Sequence, residues 1–395
     1  MQTVGIAAEY NPFHMGHLLH IRETKRIFAD AAIVAVMSGN FVQRGDLAVF
    51  NKWARAKAAV LSGVDLVLEL PVPYALSSAE HFARGSVALL EAAGVVDAMS
   101  FGSESGDLDA LTRAASYIRS KAAGEGIRAA MKTGVSYGAA CEMAARADGM
   151  SGTLFRGPNN ILAIHYLAAL RESGGGIRPV TIKRAEIMHD SVLQSGQYAS
   201  ARKLRELLRT GRSPWAYIPD AAAAVFRAEQ RAGRGPVFLE DCEQAILALL
   251  RLREAEPPFP DDSEGVYNRL LRYAGTEGRL ETVLHMAKTK RYHTARLRRA
   301  LLSICIGIQA FDRPATPPYI RVLAAGPKGR TLLQTMRKCA RLPVVTKPAK
   351  INTLDPAARR MFELERRGTD LFSLAYTRPE DRAGGSEWRG RPFIQ

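Results

Sequence analysis

Cysteine is scarce in this chain: four among 395 residues, Cys141, Cys242, Cys305 and Cys339, with no C-x-x-C spacing among them. That argues against a disulfide framework and a thiolate zinc knuckle, and it suits a reducing, cytoplasmic setting. Long apolar runs are missing as well. None reaches the roughly 20 residues needed to cross a bilayer, so no membrane partner is expected. The stretch MQTVGIAAEY lacks a basic n-region and a cleavage pattern, so no secretory signal is expected. Acidic residues are in deficit: 39 Asp and Glu face 55 Lys and Arg, a formal charge of +16, with a pI near 9.9. A surface of that sign draws polyanions, nucleic acid first, although a generally Arg-rich composition gives the same balance. What is plentiful is apolar residue, 47%, enough for a sizeable core. The length suits two or three domains at about 100–200 residues each.

The first 110 or so residues alternate strand and helix signals. TVGIAAEY, AAIVAVMS, VDLVLELP and VDAMSFGSESGD read as strands. HLLHIRETKRIFAD, NKWARAKAAVLSG and AEHFARGSVALLEAAG read as the helices between them, the second closed by Gly63. Short buried strands alternating with amphipathic helices predict an α/β, doubly wound, Rossmann-like parallel sheet. Ligands of such sheets bind outside the carboxyl ends of the strands. Those ends here, EYNPFHMGH, MSGNFVQRGD, ELPVPYAL and FGSESGD, are polar or glycine-rich, as a shared cleft requires. Residues 110–170 read as mostly helical, RPVTIKRAEI as one more strand, and ASARKLRELLRT as a helix with a basic start. The chain then divides into an α/β segment over 1–210, a helical and basic segment over 211–312, and a small βαβ unit over 313–395. The tail after 379 reads as polar and loosely ordered, at least in part.

EYNPFHMGHLLH places His14 and His17 three apart, with Gly16 between them, where the first strand hands over to a helix. Backbone N–H groups and the helix dipole make such a place receptive to phosphate. Gly16 lets backbone or ligand approach, and two imidazoles on one turn can face one anion. Imidazole can donate to phosphate oxygens and carry positive charge as negative charge builds up on them, which suits attack at phosphorus. A helix start with incidental histidines is the plainer alternative. A zinc site lacks a carboxylate or cysteine at ligand spacing, so no metal ligands are assigned.

GIAAEYNPFHMGHLLHI is similar to the opening of HxGH nucleotidylyltransferases. Together with VMSGNFVQRGDLAVFNKWARAKAAVLSGVDLVLELP, FARGSV, FGSESGD, PNNILAIHYL, TIKRAE, KTKRYHTARLRR and PPYIRVLAAGPKG, it resembles the bacterial tRNA(Met) cytidine acetate ligase family over most of the chain. The resemblance implies an ATP-binding catalytic domain at 1–210 and a ligase that makes acetyl-adenylate from ATP and acetate, releasing diphosphate. It then acetylates N4 of the wobble cytidine of elongator tRNA(Met), forming N4-acetylcytidine without acetyl-CoA. ATP-binding positions carried over are Ala7, Ala8, Glu9, Tyr10, Asn11, Pro12, Phe13, His14, Met15, Gly16, His17, Leu18, Leu19 and His20. His14 and His17 are the catalytic pair. Gly102, Asn159 or Asn160, Lys183, Arg184, Ser200 and Arg205 complete the nucleotide set. Mg²⁺ is the expected companion of ATP. Two departures stand out: Arg202 replaces an expected Thr in ASARKLR, and IMHDS keeps His189 and Asp190 but has Met188 before them. PNNIL can equally be a helix cap, Gly102 a strand-exit turn and Arg184 a surface charge.

KTKRYHTARLRR concentrates Lys288, Lys290, Arg291, Arg296, Arg298 and Arg299 around Tyr292, with no acidic residue. Such a face contacts phosphates while an aromatic stacks on an unpaired base, though a solvated basic helix looks the same. KWARAK, with Lys52, Arg55 and Lys57, is a second candidate nearer the nucleotide. Competing functions are a small-molecule carboxylate ligase of the pantothenate-synthetase kind and an RNA-binding protein without catalysis. The first does not need the basic half, and the retained HxGH argues against the second.

Overall fold

The structure, a computed structural model, describes residues 1–184, 198–252, 258–260, 262, 265–289 and 293–395. His189, Asp190, Met188, Lys290, Arg291 and Tyr292 lie outside the described residues.

Among the described residues ten strands form: β1 (Thr3–Ala8), β2 (Ala32–Ser38), β3 (Phe41–Val42), β4 (Asp46–Leu47), β5 (Leu66–Leu70), β6 (Ala98–Ser103), β7 (Arg178–Lys183), β8 (Ile320–Ala325), β9 (Val344–Val345) and β10 (Phe393–Ile394). Eight of them make one sheet in the order β10-β8-β5-β2-β1-β6-β7, with β9 on β8, while β3 and β4 form a separate hairpin. β1, β2, β5, β6 and β7 run parallel, as the alternating pattern predicts. β2, AIVAVMS, is buried at all seven positions, which is why it shows no polar alternation. Strand order reverses at β1, which has β2 on one side and β6 on the other, so the ligand crevice is expected at its carboxyl end.

The helices of the first half are α1 (Met15–Ile27), α2 (Lys52–Leu61), α3 (Val72–Ala75), α4 (Ala79–Ala93), α5 (Leu108–Tyr117), α6 (Lys121–Lys132), α7 (Tyr137–Ala147) and α8 (Pro158–Ser173). Caps set their ends: Ser78 accepts the His81 amide at the start of α4, and Gly94 closes it with φ 69°. Helices Glu243–Leu252, Val266–Thr276, Leu280–Ala287 and Thr294–Ile306 pack a second core around Leu247, Leu270, Leu284 and Leu301. Among the described residues no helix is long and apolar enough to cross a membrane.

The C-terminal segment forms its βαβ unit, with Ile320 of β8 in parallel register with Val344 of β9. It does not stand apart. β8 pairs antiparallel with β5 and so extends the first segment's sheet. Helix Pro356–Ser373 contributes Met361 and Phe362 to the sheet core, and Leu364 and Phe372 to the helical core. The expectation of a loosely ordered tail is also corrected. β10 joins β8, and Glu387 is fully buried with Lys52. Its partner lies at the other end of the chain, so local polarity could not reveal it.

Candidate active site

β1 ends in the loop that leads to α1. Tyr10 there has φ 46°, a left-handed conformation that non-glycine residues seldom adopt and that often marks a functional turn. His14 caps α1: its Nδ1 accepts the Gly16 amide at 3.0 Å, and its own amide donates to His17 Nδ1 at 3.2 Å. Two imidazoles thus form the reciprocal box that Ser and Glu usually make. Because each Nδ1 accepts a hydrogen bond, the network assigns each proton to Nε2, leaving two N–H donors for a ligand. The rings lie 3.8 Å apart at 30°. Gly16 is needed for a reason other than ligand access, since a Cβ there would meet His14 Cε1 at 2.9 Å.

Their surroundings hold these imidazoles in the neutral form. Burial pushes His14 down to about 3, with Arg184 and Arg205 adding to the effect. Burial likewise takes His17 well below its ordinary value, helped by His14, Arg184 and His20. His20 is pushed down to about 4 by burial and by Arg184. At neutral pH the motif therefore holds neutral donors, and the positive charge comes from the arginines and the α1 dipole. His20 serves as a tie. Thr24 Oγ1 donates to the His20 carbonyl, so Ser100 donates to Thr24 and accepts from His20 Nε2 at 2.9 Å, fastening α1 to β6.

Of the stretch Ala7–His20, the residues Tyr10, Asn11, Pro12, Phe13, His14 and Leu19 are buried; the other eight are half-buried. Tyr10 and Phe13 flank the His17 ring at 4.9 and 5.5 Å and hold its orientation. Asn11 Oδ1 accepts the Val49 amide, and its carbonyl accepts Arg205 Nη1 at 2.9 Å. Ser200 caps helix Ala201–Arg209 by accepting the Lys203 amide at 3.2 Å. Arg202 and Lys203 are exposed.

The opposite wall comes from β6, β7 and α8. Arg184 lies over Gly102, where a Cβ would meet its Cγ at 3.2 Å, and its Nη1 donates to Asn159 Oδ1 at 3.2 Å. Lys183 is half-buried beside Gly106. Neither asparagine caps α8 with its side chain. Glu104 does so, accepting the Asn159 and Asn160 amides at 3.1 and 2.6 Å. Asn160, buried, instead accepts the Glu104 and Ser105 amides at 3.0 and 3.1 Å and fixes the strand exit. Glu104 was legible only as part of FGSESGD, where nothing local marks it as a cap for a helix more than fifty residues on.

The basic residues separate sharply. Lys52 and Arg55 are corrected as RNA contacts because both are buried. Lys52 Nζ lies 2.6 Å from Glu69, 2.7 Å from Glu387 and 3.6 Å from Glu365. Arg55 donates to the carbonyls of Phe50, Glu9, Ser38 and Gly39, stapling the ends of β1 and β2. Lys57 is exposed, its ammonium 5.2 Å over the Phe393 ring. Lys288 is exposed and Arg296 half-buried. Arg298 pairs with Asp46 at 3.1 Å and Arg299 donates to the Gln43 carbonyl at 3.0 Å, so both grip the β3–β4 hairpin. Gln43 and Arg44 of VQRGD carry signals that sequence reasoning left unassigned.

A family model described as HIGH Nucleotidyl Transferase matches residues 1–387. The tRNA(Met) cytidine acetate ligase of Caldanaerobacter subterraneus subsp. tengcongensis is 37% identical over 385 residues, 95% of this chain and 96% of that one. The protein of the same name from Acetivibrio thermocellus is 37% identical over 408 residues, 98% of each chain. The crystal structure of Thermotoga maritima TmcAL bound with alpha-thio ATP superposes with a TM-score of 0.91 at 32% identity, covering 100% of this chain and 99% of that one. With the histidine box at the switch point of the sheet and likeness along its whole length, this chain belongs to the HIGH nucleotidyl transferases and, among them, to the tRNA(Met) cytidine acetate ligase family.

Proposed function

We propose that this protein joins acetate to AMP from ATP, releases diphosphate, and passes the acetyl group to N4 of the wobble cytidine of elongator tRNA(Met), forming N4-acetylcytidine without acetyl-CoA. The histidine box carries the reading. Two Nε2–H donors are held at a helix mouth, at the carboxyl end of the strand where the sheet order reverses. The nucleotide phosphates sit against these donors and the α1 amides. Arg184 and Arg205 supply the charge that lets a carboxylate approach the α-phosphorus and that stabilises departing diphosphate. Lys183, Asn159, Gly102 and Ser200 are proposed as further contacts of the nucleotide.

Among the described residues no group of three or more His, Cys, Asp or Glu is arranged around a metal. Mg²⁺ is proposed as the companion of ATP, where it would bind phosphate oxygens and neutralise triphosphate charge. Lys57, Lys288 and Arg296 are the proposed phosphate contacts of the RNA, and the cytoplasm is the proposed setting. The target cytidine lies in a single-stranded loop, which makes its displacement into the cleft cheaper than opening a duplex.

The test is incubation with ATP, labelled acetate and total tRNA, followed by RNA digestion. Label on cytidine is the expected result. AMP formed from another carboxylate with unlabelled RNA overturns it in favour of a small-molecule ligase, and RNA binding without turnover overturns it in favour of a binding protein. Replacing His14 and His17 together by alanine is expected to slow acetyl-adenylate formation by at least about 10²–10³-fold, the effect of losing one such donor.

A further inference from the structure

Across the top of the sheet the strand ends run β7, β6, β1, β2. The proposed nucleotide contacts Arg184, Gly102, His14 and His17 lie on the β7-to-β1 side. Glu9 follows β1 directly and faces the other way, toward the hairpin that follows β2. Its Oε1 accepts the Gln43 amide at 2.8 Å. Arg299 holds the Gln43 carbonyl and Arg298 holds Asp46, so the hairpin that fixes Glu9 is anchored to the helix leaving the basic segment. Arg55 holds the Glu9 carbonyl from below. The carboxylate is therefore fixed between the nucleotide side and the basic side. Its second oxygen, Oε2, makes no hydrogen bond among the described residues.

Acetyl transfer releases one proton, and the other candidate acceptors are committed. His14 and His17 present Nε2–H donors, and their Nδ1 atoms are held in the cap. His20 is tied to Ser100, Glu104 caps α8, and Asp46 is paired with Arg298. We propose that Glu9 is the base that takes the proton of the attacking cytidine amine, an inference that rests on the function proposed above. The N4 nitrogen bonds to the acetyl carbon of acetyl-adenylate. The bond from that carbon to the phosphate oxygen breaks, its electron pair leaving on AMP, and the N4 proton moves to Glu9 Oε2. Burial raises the Glu9 carboxyl above its ordinary value, making it a stronger base than a surface glutamate. The Gln43 amide and Arg205, Arg44 and Arg55 oppose that rise, and Tyr166 of α8 is near enough to feel the Glu9 charge.

The experiment supplies acetyl-adenylate and tRNA to Glu9→Gln and to the parent protein, and follows single-turnover acetyl transfer against pH. Gln keeps an oxygen for the Gln43 amide, and melting curves check the fold. Transfer is expected to fall by about 10²–10⁴-fold and to lose the rising acid limb of its pH profile, with Glu9→Asp recovering part of both. An unchanged rate, or a lowered rate with the parent's pH profile, overturns the assignment. Failure of the parent protein itself to transfer acetyl to RNA marks failure of the proposed function instead.

Discussion

KWARAK and KTKRYHTARLRR carry the same density of charge in sequence, three cations in six residues and six in twelve, yet the fold uses them differently. In the first, Lys52 and Arg55 turn inward and satisfy buried acceptors, and only Lys57 reaches solvent. In the second, Lys288 is exposed and Arg298 and Arg299 reach across to a hairpin next to the cleft. The difference lies in what each helix packs against. α2 is sandwiched between the sheet and helix Asp220–Arg231, with Phe50 stacked on Phe226 at 4.6 Å. Its inward positions must therefore find partners for any charge they carry. Helix Thr294–Ile306 buries Leu297 and everything from Ala300 to Ile306, while Arg296, Arg298 and Arg299 in its basic first half stay only half-buried. A run of cations thus says little about partners until the opposing surface is known.

The largest expected effect tests the inward half. Lys52 and Arg321 face Glu69 and Glu387, two charges of each sign, with Glu365 alongside. Burial, with Glu69 beside it, takes the Glu365 carboxyl well above its ordinary value. Burial would also raise Glu387, but Lys52 and Arg321 hold it below its ordinary value. Lys52→Met leaves the carboxylates without their shared cation and is expected to lower unfolding stability by about 3–5 kcal/mol in urea titrations. A loss below about 1 kcal/mol, the range of a surface pair, would contradict the buried assignment.

A smaller effect concerns nitrogens whose charge depends on where they sit. His14 binds its proton at about 3 in the folded protein against an ordinary 6.5. The unfolded chain therefore takes up the proton first as pH drops. The stability associated with a neutral His14 is full above pH 6.5 and is lost as pH falls toward 3. His14→Asn retains a good capping residue and removes this titration, so its urea midpoint should vary less between pH 6.5 and pH 4 than the parent's. Equal slopes would mean that the imidazole is charged in the folded state after all.

Much of the sheet was legible because apolar, β-branched runs such as 32–38 and 66–70 need no partner information to be read as buried strands. HxGH was legible too, since its place after a strand and before a helix is local. The neutrality of the imidazoles was not, because it follows first from burial and then from arginines brought in by the fold, and their tautomers follow from a cap geometry that spacing alone does not give. Nor was the cap on α8: Asn looked like the capping residue, while the carboxylate that does the work arrives from the β6 exit. Likewise β8 reads as a strand in isolation, and only the open edge of β5 decides that it joins the first sheet.

Lys57 and Lys288 give the smallest change in stability and the clearest separation of the two stretches. Both are exposed, and their replacement by alanine should alter stability by no more than about 0.5 kcal/mol. If each meets one RNA phosphate, each replacement should reduce the slope of log affinity against log salt by about one unit and weaken different RNA sequences equally. Should Lys57→Ala leave that slope unchanged while Lys288→Ala lowers it, the RNA path runs only over the helical segment. KWARAK then has a purely internal role, with Lys57 held over Phe393 as the outer edge of the same packed helix.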